Sequence, residues 1–308
     1  MKLSVVATLY QSAPYISEFY QRTSAVARQL VGENYEIVLV NDGSPDNSLD
    51  LAIQLTETDS HVVVIDLSRN FGHHKAMMTG LSHAKGDMVL LIDSDLEEEP
   101  ECLIAFAEHM QSQRCDVVYG IQKQRKGGWF ERWSGQWFWL LFNLVTGLRL
   151  PANIATIRLM SKRYVDALLC HDEREVFMAG LWHITGFDQR SQIIQKSYKQ
   201  NSTYTLRRKI SLFVNAITSF SNAPLISIFY IGVSISIVAV VYTGYLLFHW
   251  LFLDKPASGW TSVMASIWVL GGLIISFIGV VGIYLSKIFS ETKRRPYVIV
   301  RQIYEKQK

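Results

Sequence analysis

The sequence predicts an α/β domain with a mostly parallel, Rossmann-like sheet, followed by a two-helix transmembrane hairpin. Through about the first 120 residues, β-rich runs alternate with segments of helical length, a pattern typical of a parallel sheet covered on both faces. Two later stretches, Pro224–Leu253 and Trp260–Ser286, contain no acidic residue, lysine or arginine. Each exceeds the roughly 20 apolar residues that cross a bilayer core.

Five apolar runs are the predicted strands. They are Leu3–Leu9, Glu36–Val40, Val62–Leu67, Met88–Ile92 and Asp116–Tyr119. Polar residues directly follow three of these runs: Asp42 the second, Arg69 the third, and Asp93 and Asp95 the fourth. Because strand carboxyl ends form the ligand crevice of an open α/β sheet, we expect these side chains to share one crevice.

Basic residues flank the predicted hairpin on both sides. Arg207, Arg208 and Lys209 precede the first apolar stretch, and several lysines and arginines follow the second. The positive-inside rule therefore predicts that the first domain and both termini are cytoplasmic. The apolar run Leu3–Leu9 is too short for a secretory signal and is interpreted as the first strand.

These patterns divide the chain into a cytoplasmic domain (1–222), two transmembrane helices (223–289) and a cytoplasmic basic tail (290–308). Two further helices are predicted at about 128–148 and 206–220. The tryptophans of the first favour a position at the lipid head groups, although packing on the sheet is the alternative.

Charge and cysteine content narrow the classes of partner. A net charge of +3 is too small to indicate nucleic acid, and the basic residues beside the hairpin favour membrane lipids instead. Three cysteines, Cys102, Cys115 and Cys170, lack metal-ligand spacing and are expected to be free thiols.

A pair of carboxylates ends the fourth predicted strand. In Asp93-Ser94-Asp95, two carboxylates spaced i, i+2 can turn toward one hard cation as the chain leaves the sheet. Mg²⁺ or Mn²⁺ prefers such oxygen ligands and completes its shell with substrate phosphates. The pair predicts a cation site beside a phosphate-bearing substrate.

Three segments, 38–44 (VLVNDGS), 67–72 (LSRNFG) and 91–96 (LIDSDL), together resemble family 2 glycosyltransferases of the GT-A fold. The chain is most similar to the polyprenyl-phosphate glycosyltransferases, the group that includes dolichyl-phosphate mannose synthase and the bactoprenol glucosyltransferases of O-antigen modification. Segment 158–161 (RLMS), the arginines before the first apolar stretch, the two C-terminal spans and segment 293–297 (KRRPY) extend the resemblance over nearly the whole chain.

The resemblance implies an inverting, metal-dependent transfer of a sugar from a nucleotide-sugar donor to a polyprenyl (undecaprenyl) phosphate. The product would be a lipid-linked sugar for cell-envelope glycan or lipopolysaccharide modification, made at a bacterial inner membrane. The resemblance assigns roles to these residues: Asp42, Thr8 and Tyr10 to the base or ribose, Asp93 to donor or metal, Asp95 to the metal, Arg69 and Lys75 to the diphosphate, and Arg125, Arg158 and Arg207 to the acceptor phosphate.

Simpler roles stay open for five of these residues. Asp93 and Asp95 could form only a solvated acidic turn. Asp42 precedes Gly43 and could serve only to form a turn. Lys75 could be a solvated helix residue, and Arg207 could only set the membrane orientation.

The sequence departs from the group at several positions. Ala7 replaces a common proline, Glu97-Glu98-Glu99-Pro100 replaces a segment with Asp-Pro, and Thr156 replaces an acidic residue. A phosphate acceptor is already ionised near neutral pH, so we expect Thr156 to be tolerated without a carboxylate base. Trp129 stands where processive polysaccharide synthases carry the Gln of Gln-x-x-Arg-Trp, which argues against a polymer-extruding synthase.

Two other functions compete with this hypothesis. One is transfer to a different lipid, such as diacylglycerol or ceramide. The other is a non-catalytic membrane scaffold or flippase partner with a degenerate domain, which the departures at Ala7 and Thr156 would favour. The sequence leaves open the sugar, the nucleotide, the metal and whether the chain forms a homo-oligomer.

Overall fold

The computed structural model describes residues 1–122, 145–147, 153–174, 176–195, 214, 217–252 and 259–306. The chain divides into two compact units. The first contains Met1–Trp139, Arg149–Thr205 and Arg295–Lys308, and the second contains Leu140–Leu148 and Leu206–Arg294. The first unit is therefore built from segments on both sides of the long apolar stretches.

Within the described residues, the first unit has one eight-stranded sheet with the order β7-β5-β6-β4-β1-β2-β3-β8. The strands are β1 Leu3–Leu9, β2 Tyr35–Asn41, β3 Val62–Leu67, β4 Met88–Leu91, β5 Val117–Gln122, β6 Ile154–Ser161, β7 Gln189–Ile194 and β8 Val300–Glu305. The central strands β4, β1, β2 and β3 run parallel, whereas β6 and β8 are antiparallel to their neighbours. The parallel strands bring their carboxyl ends to one edge.

Helices cover both faces of this sheet. They are α1 Ile16–Val31, α2 Ser48–Thr58, α3 His73–His83, α4 Cys102–Gln113, α5 Lys162–Leu169 and α6 Met178–Ile184. Phe19 of α1 and Phe106 of α4 belong to one core cluster with alternate residues of the central strands. On the opposite face Gly80 of α3 lies directly against the side chains of Val6 and Val40. A Cβ atom at Gly80 would come within 3.0 Å of Val40, so the helix packs close to the sheet at this point. This packing leaves the first turn of α3 at the carboxyl edge of the sheet.

The predicted α/β class is confirmed, and the five predicted strands are present with ends shifted by a few residues. Three strands, β6, β7 and β8, were not predicted. The separation of 290–308 as a tail was wrong for Val300–Glu305, which pair with β3 as an edge strand of the sheet. Most residues of β8 are exposed, so its composition resembles that of a polar tail.

The second unit contains two long helices, α7 Ala223–Phe252 and α8 Trp260–Thr292. Segments of both, Ala223–Tyr242 and Ser266–Thr292, are long and apolar enough to cross a membrane, which agrees with the predicted hairpin. Within this unit the Tyr284 hydroxyl of α8 donates a 2.6 Å hydrogen bond to the Ser221 carbonyl. Of the predicted helix at 206–220, the described residues 217–220 are helical. Most of the predicted helix at 128–148 lies outside the described residues.

Candidate active site

The candidate site lies at the carboxyl ends of β1 to β4, where the sequence places its polar residues. Thr8 is near the end of β1, and Asp42 follows β2 directly. Arg69 lies shortly after β3, and Asp93 shortly after β4. The parallel register of these strands brings the four positions to one edge, as predicted.

Asp42 joins two of the loops at this edge. Its side chain is buried, with 2% of the residue exposed, and it accepts backbone N–H bonds from Phe71 at 2.7 Å and Gly72 at 3.0 Å. Burial raises the pKa of Asp42, although these two hydrogen bonds oppose the rise. The carboxylate therefore holds the loop after β3 in place, and contact with a donor base or ribose stays a prediction.

Gly43 lets the same two loops approach closely. Its φ is +59°, in the left-handed region that favours glycine, and a Cβ would lie 2.6 Å from the carbonyl carbon of Arg69. Asp42 and Gly43 thus form one side of a joint, and residues 69–72 form the other. Asp42 and Gly43 lie in irregular backbone after β2 rather than in an assigned turn, and the close approach of Gly43 limits where the Arg69 backbone can lie.

His73, which sequence analysis did not select, connects two predicted site residues. Its Nδ1 lies 3.0 Å from Thr8 Oγ1, and its Nε2 lies 3.2 Å from Asp93 Oδ1. Partial burial lowers the pKa of His73, but the hydrogen bond to Asp93 and the charges of Asp93, Asp42 and Asp95 raise it above its ordinary value. The sequence signal was a polar residue in the first turn of the helix that follows the third strand.

Ser94 anchors the turn that carries the two carboxylates. Its buried hydroxyl donates to the Thr8 carbonyl at 2.7 Å, while Asp95 Oδ1 accepts the Glu97 backbone N–H at 3.0 Å. Asp93 and Asp95 are both partly exposed. Ser94 thereby ties this turn to β1, beside Thr8.

The donor set at Asp93 and Asp95 suits a hard cation that shares its ligands with a substrate. Among the described residues, no group of three or more histidine, cysteine or acidic side chains could by itself hold a metal ion. Mg²⁺ commonly binds through one or two carboxylates plus substrate phosphates and water. Two partly exposed carboxylates at the end of β4 fit that pattern.

Among the predicted basic residues that the structure describes, Arg158 is the most deeply buried. It is 1% exposed on β6, and its guanidinium centre lies 3.0 Å from the centre of the Trp182 ring. Burial lowers the pKa of Arg158 to about 9, partly offset by Tyr164 and Glu98. Arg158 also lines a cavity of 410 Å³. In the described part of the chain, no acidic side chain forms an ion pair with this guanidinium.

Arg158 also lies close to the carboxylate turn. Its partner across the sheet is Leu91 of β4, two positions before Asp93. Arg158, the candidate ligand of the acceptor phosphate, thus lies on the strand next to the one that Asp93 and Asp95 follow.

Glu98 places a carboxylate at the backbone of Thr156. Glu98 is 0% exposed and accepts the backbone N–H groups of Thr156 at 3.0 Å and Ile157 at 2.8 Å. Glu98 and Thr156 are both positions where the sequence departs from the related group, and the structure joins them. The Glu98 carboxylate binds the backbone of Thr156, the position where the resemblance expects an acidic side chain. Sequence analysis did not predict this contact.

The remaining predicted residues differ in their placement. Tyr10 is 50% exposed at the end of β1, and Lys75 lies in the first turn of α3. The Arg69 guanidinium stacks on Phe71, 4.2 Å from the ring centre. Arg125 and Arg207 lie outside the described residues, so their predicted roles have no structural account.

The mostly parallel sheet order, with its antiparallel β6, is that of the GT-A fold class. The model of the glycosyl transferase family 2 matches residues 4–169, more than half of the chain. The chain belongs to this family and is a glycosyltransferase.

Several proteins are similar to this chain over almost all of its length. A protein of Mycobacterium tuberculosis (strain CDC 1551 / Oshkosh), named as a glycosyltransferase, is 49% identical over 99% of this chain and 89% of its own length. The bactoprenol glucosyl transferase of Shigella phage SfV is 32% identical and is matched over 100% of both chains. The uncharacterized glycosyltransferase YkcC of Bacillus subtilis (strain 168) is also 32% identical, over 99% of this chain and 94% of its own length.

Proposed function

We propose that the chain transfers a sugar from a nucleotide-sugar donor to a polyprenyl phosphate, with inversion at the anomeric carbon. The observation that carries this proposal is the match to the bactoprenol glucosyl transferase of Shigella phage SfV from end to end. The match includes the region of α7 and α8, which a transferase with a soluble acceptor would not need. The product is a lipid-linked sugar for modification of a cell-envelope glycan.

The donor occupies the crevice at the ends of β1 to β4. Asp42 and Gly43 hold the loop that carries Arg69, and Thr8 and Tyr10 line the end of the first strand. Arg69 has a charge suited to a diphosphate, and its stacking on Phe71 limits the positions of the guanidinium. In this pocket the protein binds the nucleotide and orients the anomeric carbon toward β6.

Asp93 and Asp95 are the residues that would hold Mg²⁺ or Mn²⁺. When bound, such an ion neutralises negative charge that develops on the departing nucleoside diphosphate. In this proposal His73 keeps Asp93 oriented, because its ring lies between Thr8 Oγ1 at 3.0 Å and Asp93 Oδ1 at 3.2 Å. The support for this part of the proposal is the pair of partly exposed carboxylates at the end of β4.

Arginines bind the acceptor in this proposal. Arg158 lines the 410 Å³ cavity and stacks on Trp182, and in this proposal its guanidinium binds the acceptor phosphate there. Arg125 and Arg207 join it on the basis of sequence alone. A lipid phosphate is already ionised near neutral pH, so the attacking oxygen needs alignment and screening but no carboxylate base. The absence of an acidic side chain at Thr156 fits this requirement.

The proposed location is a bacterial inner membrane, with the catalytic domain and both termini on the cytoplasmic side. Two helices of sufficient length and apolar composition support membrane insertion. The basic residues on both flanks support the orientation. Cysteine labelling tests it: Ser258→Cys in the short polar connection is labelled from outside intact cells, and a cysteine placed in 306–308 is not.

Mass spectrometry of the lipid product tests the proposed reaction directly. The purified full-length chain is incubated with undecaprenyl phosphate and a panel of nucleotide sugars, with Mg²⁺, with Mn²⁺ or with EDTA. The expected product is undecaprenyl phosphate carrying one hexose, formed only with metal. Product on diacylglycerol or ceramide alone would establish the other lipid as acceptor, and absence of both transfer and donor hydrolysis would favour the non-catalytic scaffold.

A further inference from the structure

The strand that follows the two long helices in the chain contacts the donor side of the sheet. β8 pairs with β3 in antiparallel register, with Asp66 opposite Gln302 and Leu67 opposite Val300. Arg301 is therefore the extra residue of a β-bulge. Bulges at sheet edges redirect side chains and occur often beside active sites. Here the bulge directs the Arg301 side chain toward the carboxyl end of β3.

Arg301 binds two groups at that strand end. Its Nη1 lies 3.0 Å from Asp66 Oδ2, and its Nη2 donates a 2.7 Å hydrogen bond to the Ser68 carbonyl. Asp66 is 1% exposed, whereas the Arg301 side chain is 57% exposed. The ion pair thus balances a buried carboxylate with a cation supplied from the edge strand. The second bond fixes the residue immediately before Arg69.

Asp66 continues the contact into the neighbouring loop. Asn41 Nδ2 donates to Asp66 Oδ1 at 2.8 Å, and Asn41 Oδ1 accepts the Ser44 backbone N–H at 3.2 Å. Asn41 directly precedes Asp42, whose carboxylate holds Phe71 and Gly72. The chain of contacts from Arg301 therefore reaches both loops of the joint described above.

We propose that Arg301 is a positioning residue for the donor pocket. Through Asp66 and Ser68 it holds the loops that carry Asp42 and Arg69 at the separation the nucleotide requires. Arg301 itself does not touch the donor. This inference rests on the proposed function for the location of the donor, but it concerns a residue and a strand that no motif of the family model includes, since that model ends at residue 169.

The experiment compares Arg301→Gln with Arg295→Gln, which removes one exposed positive charge from the segment just before β8. Binding of UDP and of GDP to the full-length chain in detergent is measured by calorimetry with Mg²⁺. Steady-state assays then give KM for donor and for undecaprenyl phosphate separately. Arg301→Gln is expected to weaken nucleotide binding and raise the donor KM roughly tenfold or more, with the acceptor KM unchanged. Arg295→Gln is expected to change neither.

Two further variants separate positioning from a general loss of structure. Arg301→Lys keeps the charge at Asp66 but cannot bind both groups in the same geometry, so partial recovery of nucleotide binding is expected. Asp66→Asn combined with Arg301→Gln leaves no buried charge unpaired. If the two residues act as one unit, the double variant binds nucleotide no more weakly than Arg301→Gln alone.

The proposal is overturned if Arg301→Gln binds nucleotide as tightly as Arg295→Gln, or if donor and acceptor KM rise together in proportion to a fall in Tm. Absence of nucleotide binding by the unaltered chain overturns it as well. Failure of the proposed function looks different. Transfer to undecaprenyl phosphate would then be missing, while nucleotide still binds and Arg301→Gln still weakens that binding, which would support the positioning role on its own.

Discussion

His73 Nε2 lies 3.2 Å from Asp93 Oδ1, so the first turn of α3 places an imidazole beside the carboxylate that follows β4. The other ring nitrogen, Nδ1, lies 3.0 Å from Thr8 Oγ1 at the end of β1. The imidazole therefore connects three elements of the sheet edge through one rigid group. A residue in that position controls the direction of the Asp93 carboxylate.

Replacement of His73 should lower activity without unfolding the protein. His73→Ala removes both contacts of the ring, so Asp93 loses its orientation, and kcat/KM for the donor is expected to fall roughly ten- to hundredfold. His83→Ala, at the other end of α3, is the matched control. Steady-state kinetics and thermal denaturation of both variants check this, and equal activity in the two would contradict it.

Asp95→Asn tests the cation site. The variant keeps an oxygen that can accept the Glu97 backbone N–H, so the turn should be preserved. Because a bound cation stabilises developing charge by several kcal/mol, kcat is expected to fall by roughly two orders of magnitude or more. Glu99→Gln, on a neighbouring exposed carboxylate, should have little effect. Turnover that persists in EDTA would reject a metal requirement.

Comparison of Gly43→Ala with Gly32→Ala separates the effect of backbone strain from the effect of disturbing the contact between residues 42–43 and 69–72. Both glycines have positive φ, +59° and +63°, so a methyl group strains either backbone by about 1–2 kcal/mol. Only Gly43 lies against other backbone, within 2.6 Å of Arg69 for an added Cβ, while Gly32 has open space. Gly43→Ala should therefore also weaken nucleotide binding at least tenfold. If the two variants differ only in Tm, the joint does not shape the donor pocket.

Thr156→Ala should be tolerated. A phosphate nucleophile needs no base, so the variant is expected to keep at least about a tenth of kcat. Glu98→Gln should be the more damaging change, because the Glu98 carboxylate binds the backbone N–H groups of Thr156 and Ile157. The rate should rise through about pH 6, as the acceptor ionises, and then stay flat to about pH 8. A thousandfold loss in folded Thr156→Ala would assign an essential step to this position.

Glu36 should make stability depend on pH. Burial raises the pKa of its carboxyl group, but bonds from Lys2, Ser4 and the Lys85 backbone lower it below its ordinary value. A lowered folded-state pKa stabilises the protein above the unfolded pKa of about 4.3, and this contribution is lost as pH falls through the folded-state value.

Glu36→Gln is therefore expected to cost about 1.5–3 kcal/mol at pH 7, and the cost should begin to fall below the unfolded-state pKa of about 4.3 and disappear below the lower folded-state pKa. Thermal denaturation across a pH series measures it. Glu33→Gln is the control, because Glu33 is 64% exposed in its pair with Arg28 and such pairs contribute little. An equal difference in stability between Glu36→Gln and the unaltered chain at pH 7 and at the lowest pH where both still fold would exclude the carboxylate charge as the cause.

The buried central strands could be predicted because burial on both faces demands continuous apolar sequence. Leu3–Leu9 has the predicted limits for that reason. β6 was missed because buried Arg158 and the polar Thr156 interrupt its apolar pattern, and β8 was missed because most of its side chains are exposed. Both strands are stabilised by contacts with residues far away in the chain, and the local sequence does not reveal such contacts.

The candidate site also contains residues that the sequence predicted and residues that only the structure revealed. The strand-end positions of Asp42, Asp93 and Asp95 followed from the sequence pattern alone. The contact of His73 with Asp93 depends on how α3 packs on the sheet, and that of Arg301 with Asp66 depends on pairing between distant strands. Residues that orient other site residues were therefore found only in the structure.

The position of β8 in the chain also constrains how the protein is made. The ribosome releases both long apolar helices before it releases residues 300–305, so the exposed edge of β3 stays unpaired while those helices are being translated. Unpaired edges invite pairing with other chains. Nascent catalytic domains thus need protection from aggregation until β8 emerges. A fragment expressed without the apolar helices would need residues 300–305 joined back to it to close this edge.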